Sequence, residues 1–209
     1  MFGNTLSSDA QKTLALLGKS GLVNNAYLAG GSALALHFGH RYSIDFDFFT
    51  QEKFDPIKLS VHFKKLGKFK QTVAKGISLI GEFNKIKLSY FQYDYPVIGQ
   101  FTKFMTVNIA SIEDIAAMKM VAIMDRGTKK DFIDLYEIIK QGHSLQNILK
   151  QYDKKYHVLA ENLYSIIRSL QYFDDAESSQ MPKMIRDVSW KEVMKFISLE
   201  TIRLAKKYL

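Results

Sequence analysis

The chain has 209 residues, of which 47% are hydrophobic and 24% are charged, a composition typical of a folded globular protein rather than a disordered one. It contains no cysteine, which excludes disulfide bonds and thiolate chemistry, and no stretch reads as a signal peptide or a membrane span, so we expect a cytoplasmic protein. The formal net charge of +8 favours polyanionic partners, although many soluble proteins are as basic.

Hydrophobic periodicity predicts four elements before residue 50: a helix over 6–17, a short buried strand over 27–29, a buried helix over 32–38 and a strand over 44–49. Gly18 and Gly21 are expected to end the first helix, and Gly39 to end the second. The strand over 44–49 alternates acidic with apolar residues, which indicates one polar face.

The next segment predicts one helix followed by strands. Asp55 and Pro56 suit the start of a helix that runs to about residue 66. Strand-like runs then cover 68–74, 77–83, 86–93 and 104–109. Turn residues at Lys75-Gly76 and Asn84-Lys85 indicate that the first three of these strands form a meander.

After Ser111 the sequence changes character and is almost entirely helical. Ser111 and Asp114 resemble a capping box, and five helices are predicted over 112–125, 129–141, 144–151, 156–171 and 189–208. The polar run 174–179 is expected to be a mobile loop. We therefore predict a mixed α/β domain over 1–110, followed by a helical lobe over 111–209.

The segment that carries chemistry runs from Gly30 to Asp47. Asp45 and Asp47 are two apart on a predicted strand, so they share a face, and two close carboxylates repel unless a divalent cation lies between them. Gly30, Gly31 and Ser32 connect a strand to a helix N-terminus, which favours a phosphate anion. A phosphate site beside a carboxylate metal site suits phosphoryl or nucleotidyl transfer.

The alternative for these residues is a turn and two solvated acids on a strand edge. The neighbours of the two acids argue against this alternative, because they are bulky and apolar: Ile44, Phe46, Phe48 and Phe49. Such residues indicate a central strand, in which a carboxylate needs a partner.

Two motifs together resemble the nucleotidyltransferases of the AbiEii/AbiGii toxin family. The first runs from Leu28-Ala29-Gly30-Gly31-Ser32 through Gly39-His40-Arg41-Tyr42-Ser43 to Ile44-Asp45-Phe46-Asp47-Phe48-Phe49. The second comprises Lys119, Asp125-Arg126 and Lys130-Asp131-Phe132-Ile133-Asp134-Leu135, which is similar to the helical motif of that family. The resemblance spans about residues 25–140.

The resemblance implies an α+β minimal nucleotidyltransferase fold, with a mixed β-sheet, flanking helices and a C-terminal helical bundle. It implies an enzyme that uses NTP and Mg²⁺ or Mn²⁺, and that is the toxin of a bacterial toxin–antitoxin or phage-defence pair. Some relatives add nucleotides to the acceptor end of tRNA, so the partners implied are NTP, an RNA acceptor and an antitoxin encoded nearby.

The resemblance also assigns roles to individual residues. Asp45 and Asp47 would bind the metal, while Lys119 and Asp131 or Asp134 would complete the catalytic set. Nucleotide binding would fall to Gly30, Gly31, Ser32, Arg41, Ser43 and Lys119. The ordinary alternative for Asp131 and Asp134 is surface pairing with Lys129, Lys130 or Arg126, worth ~0.3–0.5 kcal/mol per pair.

One departure from the wider pattern concerns a third carboxylate, which many nucleotidyltransferases carry on a later strand. Ser89 occupies the comparable position here, and neither Glu82 nor Asp94 has the expected placement. Either Asp131 or Asp134 supplies the acid, or metal binding is impaired. The sequence thus also allows a nucleotide- or RNA-binding homologue without turnover, a kinase-like transferase acting on a partner protein, or an interaction module titrated by an antitoxin.

Overall fold

The computed structural model describes residues 1–208, and it confirms the predicted α+β class. The chain separates into two compact units, the first covering Met1–Ser111 and the second beginning at Ile112. No helix in residues 1–208 combines the length and apolarity that crossing a lipid bilayer requires.

The first unit contains three α-helices and seven strands in its described residues. The helices are α1 (Ser8–Ser20), α2 (Gly30–Phe38) and α3 (Pro56–Leu66). The strands are β1 (Tyr27–Ala29), β2 (Phe46–Thr50), β3 (Phe69–Lys75), β4 (Ser78–Phe83), β5 (Ile86–Gln92), β6 (Thr102–Phe104) and β7 (Val107–Ile109).

The strands form one mixed sheet in the order β3-β4-β5-β2-β1-β7-β6. The central strand β2 pairs in parallel with β5 and antiparallel with β1, while β1 pairs in parallel with β7. The predicted meander is confirmed as β3-β4-β5, and both central residues of its second turn, Asn84 and Lys85, have positive φ. A turn of this kind matches the twist of the strands that it joins.

Alternation along β2 fixes which side chains enter the core. Phe46 and Phe48 are fully buried, and Phe48 pairs with the buried Leu28 of β1. The intervening Asp47 therefore projects from the other face of the sheet. Helix α3 packs on β3 and β4 through the rings of Phe63, Phe69 and Phe83.

Three boundaries in the first unit differ from prediction. Gly18 lies within α1 rather than at its end, and Gly21 ends the helix with a φ of 78°. Residue 18 is glycine because a Cβ there would overlap the carbonyl oxygen of Met105. The predicted strand over 104–109 is a hairpin, since Met105 and Thr106 adopt positive φ and reverse the chain. Strand β2 begins at Phe46, so Asp45 lies in the preceding loop.

The second unit is helical, with α4 (Ile112–Asp125), α5 (Lys129–Lys140), α6 (Leu145–Tyr156), α7 (Leu159–Ser169), α8 (Asp174–Ser178) and α9 (Trp190–Tyr208). Helix α6 is longer than predicted, and His157, with φ of 57°, ends it. The predicted loop over 174–179 is wrong, because it contains α8, whose Ala176 is buried. Lys155 and Asp114 form a fully buried ion pair of 2.7 Å within this unit.

Candidate active site

The N-terminus of α2 follows directly from β1, and glycine is required at its first position. Gly30 has a φ of 65°, a conformation that side chains rarely adopt. A Cβ on Gly30 would also stand 3.0 Å from Oδ2 of Asp47. The absence of a side chain at residue 30 therefore lets the Asp47 carboxylate lie against the first turn of α2.

Ser32 ties the same helical turn to the loop before β2. Its buried hydroxyl lies 2.9 Å from Oγ of Ser43 and donates a hydrogen bond to the carbonyl oxygen of Asp45. Because a serine hydroxyl has one proton, Ser43 must be the donor to Ser32. Ser32 thus fixes the backbone of Asp45, and its expected contact with a triphosphate stays a prediction.

Arg41 brings a buried positive charge to this turn. A Cβ on Gly31 would stand 2.2 Å from Nη2 of Arg41, so the guanidinium lies close against the glycine backbone. Nη1 of Arg41 donates to the carbonyl oxygen of Tyr42 at 3.1 Å. The guanidinium and the amide end of α2 together give the turn a positive potential, which favours a phosphate anion.

The carboxylate of Asp45 has one oxygen that residues 1–208 leave unsatisfied. Among the residues that the structure describes, Oδ1 of Asp45 is buried and has no hydrogen-bond partner. A buried carboxylate oxygen without a partner is costly, and a divalent cation would satisfy it. Asp47, two residues on, adds a second carboxylate against α2, and carboxylate oxygens are ligands that Mg²⁺ and Mn²⁺ prefer. Because Asp45 precedes β2, the strand alternation that predicted a shared face for the two acids does not apply to it.

Asp47 is flanked in register by Ala29 on β1 and by Ser89 on β5. Ser89 therefore lies directly beside Asp47, where a third carboxylate would have completed the set. Within residues 1–208, no group of three or more His, Cys, Asp or Glu residues could hold a metal ion. A metal here would have two protein carboxylates, and water and phosphate oxygens would complete its shell, as Mg²⁺ commonly allows.

The second unit contains a separate charged cluster built around Lys119 of α4. Its Nζ lies 3.0 Å from Oδ1 of Asp131 and 2.6 Å from Oδ2 of Asp134, both on α5. All three side chains are buried. Asp131 and Asp134 are three residues apart on α5 and so converge on one ammonium group.

Arg126 and Thr128 complete this cluster; Arg126 was expected as a pairing partner of Asp131 or Asp134, whereas Thr128 was not predicted. Arg126 binds Asp131 through two parallel hydrogen bonds of 3.0 Å, and the side chains of Thr128 and Asp131 form a capping box at the start of α5. Burial alone would raise the pKa of Asp131, but the charges of Lys119 and Arg126 and the hydrogen bonds outweigh it and lower the pKa well below its usual value. The T-x-x-D spacing was the signal for this cap.

The structure thus brings the predicted residues together in two groups. At the N-terminus of α2 it gathers Gly30, Gly31, Ser32, Arg41, Ser43, Asp45 and Asp47. Within the second unit it gathers Lys119, Asp131 and Asp134. The other candidates for a third acid are exposed: Glu82 pairs in register with Lys87, and Asp94 accepts a hydrogen bond from Gln92.

Comparison with known proteins decides the family. A model of the nucleotidyl transferase AbiEii toxin family, from type IV toxin–antitoxin systems, matches residues 13–89 and 80–203. The chain belongs to the AbiEii family. This confirms the resemblance carried by the Gly-Gly-Ser and D-x-D motifs, and the chain is a nucleotidyltransferase of the toxin–antitoxin class.

Individual relatives of this AbiEii-family chain agree in length and fold. An uncharacterized protein of Aquifex aeolicus is 36% identical over 211 residues, which covers 98% of each chain. The crystal structure of JHP933 from Helicobacter pylori has a TM-score of 0.58 at 18% identity, covering 97% of this chain and 94% of that one. MenT4, a nucleotidyltransferase toxin of Mycobacterium tuberculosis, has a TM-score of 0.53 at 12% identity, covering 94% and 86%. These two structures support the fold.

Proposed function

We propose that the protein transfers a nucleoside monophosphate from an NTP to a hydroxyl group of an RNA acceptor, with tRNA as the expected class, and that it requires Mg²⁺ or Mn²⁺. The observation that carries the proposal is the buried, unpartnered Oδ1 of Asp45 beside Asp47 at the N-terminus of α2. Carboxylates and a helix N-terminus in this arrangement suit a metal ion and a triphosphate together.

Each part of the turn has a separate task in this proposal. Asp45 and Asp47 would hold the cation, which would neutralise charge on the phosphates while the acceptor hydroxyl attacks the α-phosphorus and pyrophosphate leaves. The amide end of α2 and the guanidinium of Arg41 attract the triphosphate. Ser32 and Ser43 keep the Asp45 loop against α2, so that the carboxylate is positioned before substrate binds.

The second unit contributes further residues in the same proposal. Lys119 contacts nucleotide phosphate, and Asp131 or Asp134 is expected to serve as an additional acid or base; of the two, Asp134 fits this role better, because the lowered pKa of Asp131 makes it a weak base. The support is the family motif, together with the burial of these three charged groups in one cluster. These pairings turn the ammonium group of Lys119 towards Asp131 and Asp134, so contact with phosphate requires it to leave at least one of them.

The biological setting follows from the family. A type IV toxin acts opposite an antitoxin, so we propose a cognate antitoxin encoded nearby and a role in phage defence, in the cytoplasm where NTP and tRNA occur. A reading frame for a small DNA-binding protein next to the gene would support this setting.

The direct test is transfer of label from each of the four α-³²P NTPs to bulk tRNA in the presence of Mg²⁺. We expect Asp47→Asn to lower the rate by at least about 100-fold, or ~2.7 kcal/mol of transition-state stabilisation, because the cation loses a charged ligand. Asp94→Asn is the matched control, since it removes an exposed acid from the same unit and should leave the rate unchanged. An active Asp47→Asn enzyme would refute the mechanism.

A second candidate function is nucleotide binding without turnover, and the observation that favours it is Ser89 beside Asp47 in the sheet. Titration calorimetry with NTP and Mg²⁺ separates the two candidates, because binding without labelling of any RNA would support this one. Incubation with γ-³²P ATP adds a third outcome, in which label on a partner protein would indicate a kinase-like transferase.

A further inference from the structure

The positive charge of the chain is concentrated in one segment. Residues 58–87, which cover most of α3 and the strands β3 and β4 and enter β5, contain eight lysines and a single acidic residue, Glu82. The net charge of this segment is +7, against +8 for the whole chain. We call it the basic meander; its lysines are Lys58, Lys64, Lys65, Lys68, Lys70, Lys75, Lys85 and Lys87.

All eight lysines of the basic meander are exposed. Strand β3 is an edge strand of the sheet, so the lysines lie around an unpaired sheet edge of the first unit. The meander contains no arginine, and lysine offers a point charge rather than the planar fork that reads a base edge. Such a surface fits a phosphate backbone of any sequence.

Strand register relates the basic meander to Asp47. Lys70, Glu82 and Lys87 lie opposite one another on β3, β4 and β5. Lys87 and Ser89 are two apart on β5 and share a face of the sheet, and Ser89 pairs in register with Asp47. Lys70 and Lys87 therefore lie on the same face of the sheet as Asp47. Their set of cross-strand partners is next to the set that contains Ser89 and Asp47.

A concavity lies at the open end of the β3–β4 hairpin, away from its turn and beside the β4–β5 turn, within the first unit. It has a volume of about 540 Å³ and is lined by residues of α1 and of the hairpin. Its charged lining residues are four lysines, namely Lys12, Lys68, Lys70 and Lys85, and two acids, Asp9 and Glu82. The lining therefore carries a net charge of +2, which favours phosphate groups over a neutral ligand.

We propose that the basic meander is the docking surface for the phosphate backbone of the RNA acceptor, with the lysine-lined recess taking its phosphates. The proposal rests on the proposed transfer to RNA, and it adds the surface by which the acceptor is held. The lysines share a face of the sheet with Asp47, and a substrate must extend from its docking surface to the catalytic residues. An acidic protein or an anionic membrane has no such requirement, so the shared face favours an RNA substrate.

The test compares two triple variants that remove the same charge. Lys68→Ala, Lys70→Ala and Lys85→Ala are combined in the meander, and Lys191→Ala, Lys195→Ala and Lys206→Ala are combined on α9 as the control. All six lysines are exposed, so both variants should fold. Binding of fluorescently labelled bulk tRNA is measured by anisotropy over a range of salt concentrations, together with the Kd for NTP by calorimetry. A third variant with arginine at 68, 70 and 85 retains the charge.

We expect the meander variant to bind tRNA at least about 10-fold more weakly at low salt, and to reduce the salt slope by about 2–3, because each lost phosphate contact contributes about 0.7–0.9. Its affinity for NTP should not change, and the arginine variant should bind as the wild type does. The α9 variant should lose less than about 3-fold, since only general charge attraction is reduced.

Equal losses of tRNA affinity in the two alanine variants would overturn the docking proposal, since net charge alone would then explain them. A meander variant that keeps its affinity for tRNA but loses binding to anionic vesicles or to an antitoxin would also overturn it. A different result would show that the proposed function is wrong while the docking surface is right. In that case tRNA affinity falls as expected, yet no labelled nucleotide appears on any RNA. Normal labelling by the meander variant at limiting tRNA would reject the docking surface alone.

Discussion

At the scale of single residues, the first turn of α2 packs so closely against its neighbours that residues 30 and 31 have no room for a side chain. Gly30 makes space for Oδ2 of Asp47, and Gly31 makes space for the guanidinium of Arg41. Ser32 then binds the backbone of Asp45 rather than its carboxylate. The carboxylate Oδ1 of Asp45 consequently stays buried without a partner among the described residues, and that is the state in which a cation would bind most favourably.

Sequence reasoning could identify these residues because each has a chemical type that the proposed reaction needs at a recognisable spacing. It could not find the hydrogen bond from Ser32 to the Asp45 carbonyl, since that bond depends on the irregular backbone before β2. It also missed how fully Asp131 is committed to Lys119, Arg126 and Thr128. The alternative of weak surface pairing named Arg126 as a partner, and Arg126 does pair with Asp131, but the pairing is not a weak surface contact, because Asp131 is buried.

The pairing of Asp131 leads to a prediction about stability and pH. Because its pKa is lowered on folding, the ionised form stabilises the protein above about pH 4, and this contribution declines as the pH falls towards the lowered pKa. Asp131→Asn should cost about 3–5 kcal/mol at pH 7, since it leaves the buried charge of Lys119 less compensated. It should also flatten the fall in unfolding free energy below pH 4.

Urea unfolding of Asp131→Asn and of the wild type between pH 3 and pH 7 provides the measurement. Asp9→Asn is a suitable control, because Asp9 is exposed. Parallel pH profiles for the wild type and Asp131→Asn would show that the cluster does not stabilise the fold.

At the scale of elements, hydrophobic periodicity predicted the regular helices and strands. Reversals of the backbone direction were not predicted. The strands β1 and β2, the helix α2 and the meander β3-β4-β5 follow from alternation, glycines and turn residues. The β6–β7 hairpin was missed because its turn consists of Met105 and Thr106, which rarely adopt positive φ. His157 ends α6 in the same left-handed conformation; histidine is enriched there relative to most residues, but too weakly to mark the end of a helix by itself.

Gly18 shows how packing between elements overrides a local rule. Glycine inside a helix normally costs about 1 kcal/mol relative to alanine. Here Gly18→Ala should instead destabilise the protein by about 1–3 kcal/mol, because the new Cβ would overlap the Met105 carbonyl and the Thr106 side chain. Thermal unfolding measures the change, with the exposed Lys19→Ala in the same helix as control. A more stable Gly18→Ala protein would mean that α1 does not pack closely on the hairpin.

At the scale of the whole molecule, composition indicated a basic protein but not where its charge lies. The lysines are spread over α3, three strands and their turns, so no short motif reveals them, and strand register relates them to Asp47. Family membership covers most of the chain, while the metal, the acceptor and the roles of individual residues belong to the proposed mechanism.

The central claim is that Asp45 and Asp47 hold a divalent cation together with a nucleotide, and binding of Mn²⁺ tests it most directly. Electron paramagnetic resonance can measure free Mn²⁺ during titration of the wild type, Asp45→Asn, Asp47→Asn and the control Asp94→Asn, each with a non-hydrolysable NTP analogue. We predict nucleotide-dependent binding of Mn²⁺ to the wild type and to Asp94→Asn, and at least about 10-fold weaker binding to the other two, because each loses a charged oxygen ligand. Equal affinity for Mn²⁺ in all four proteins would contradict the assignment.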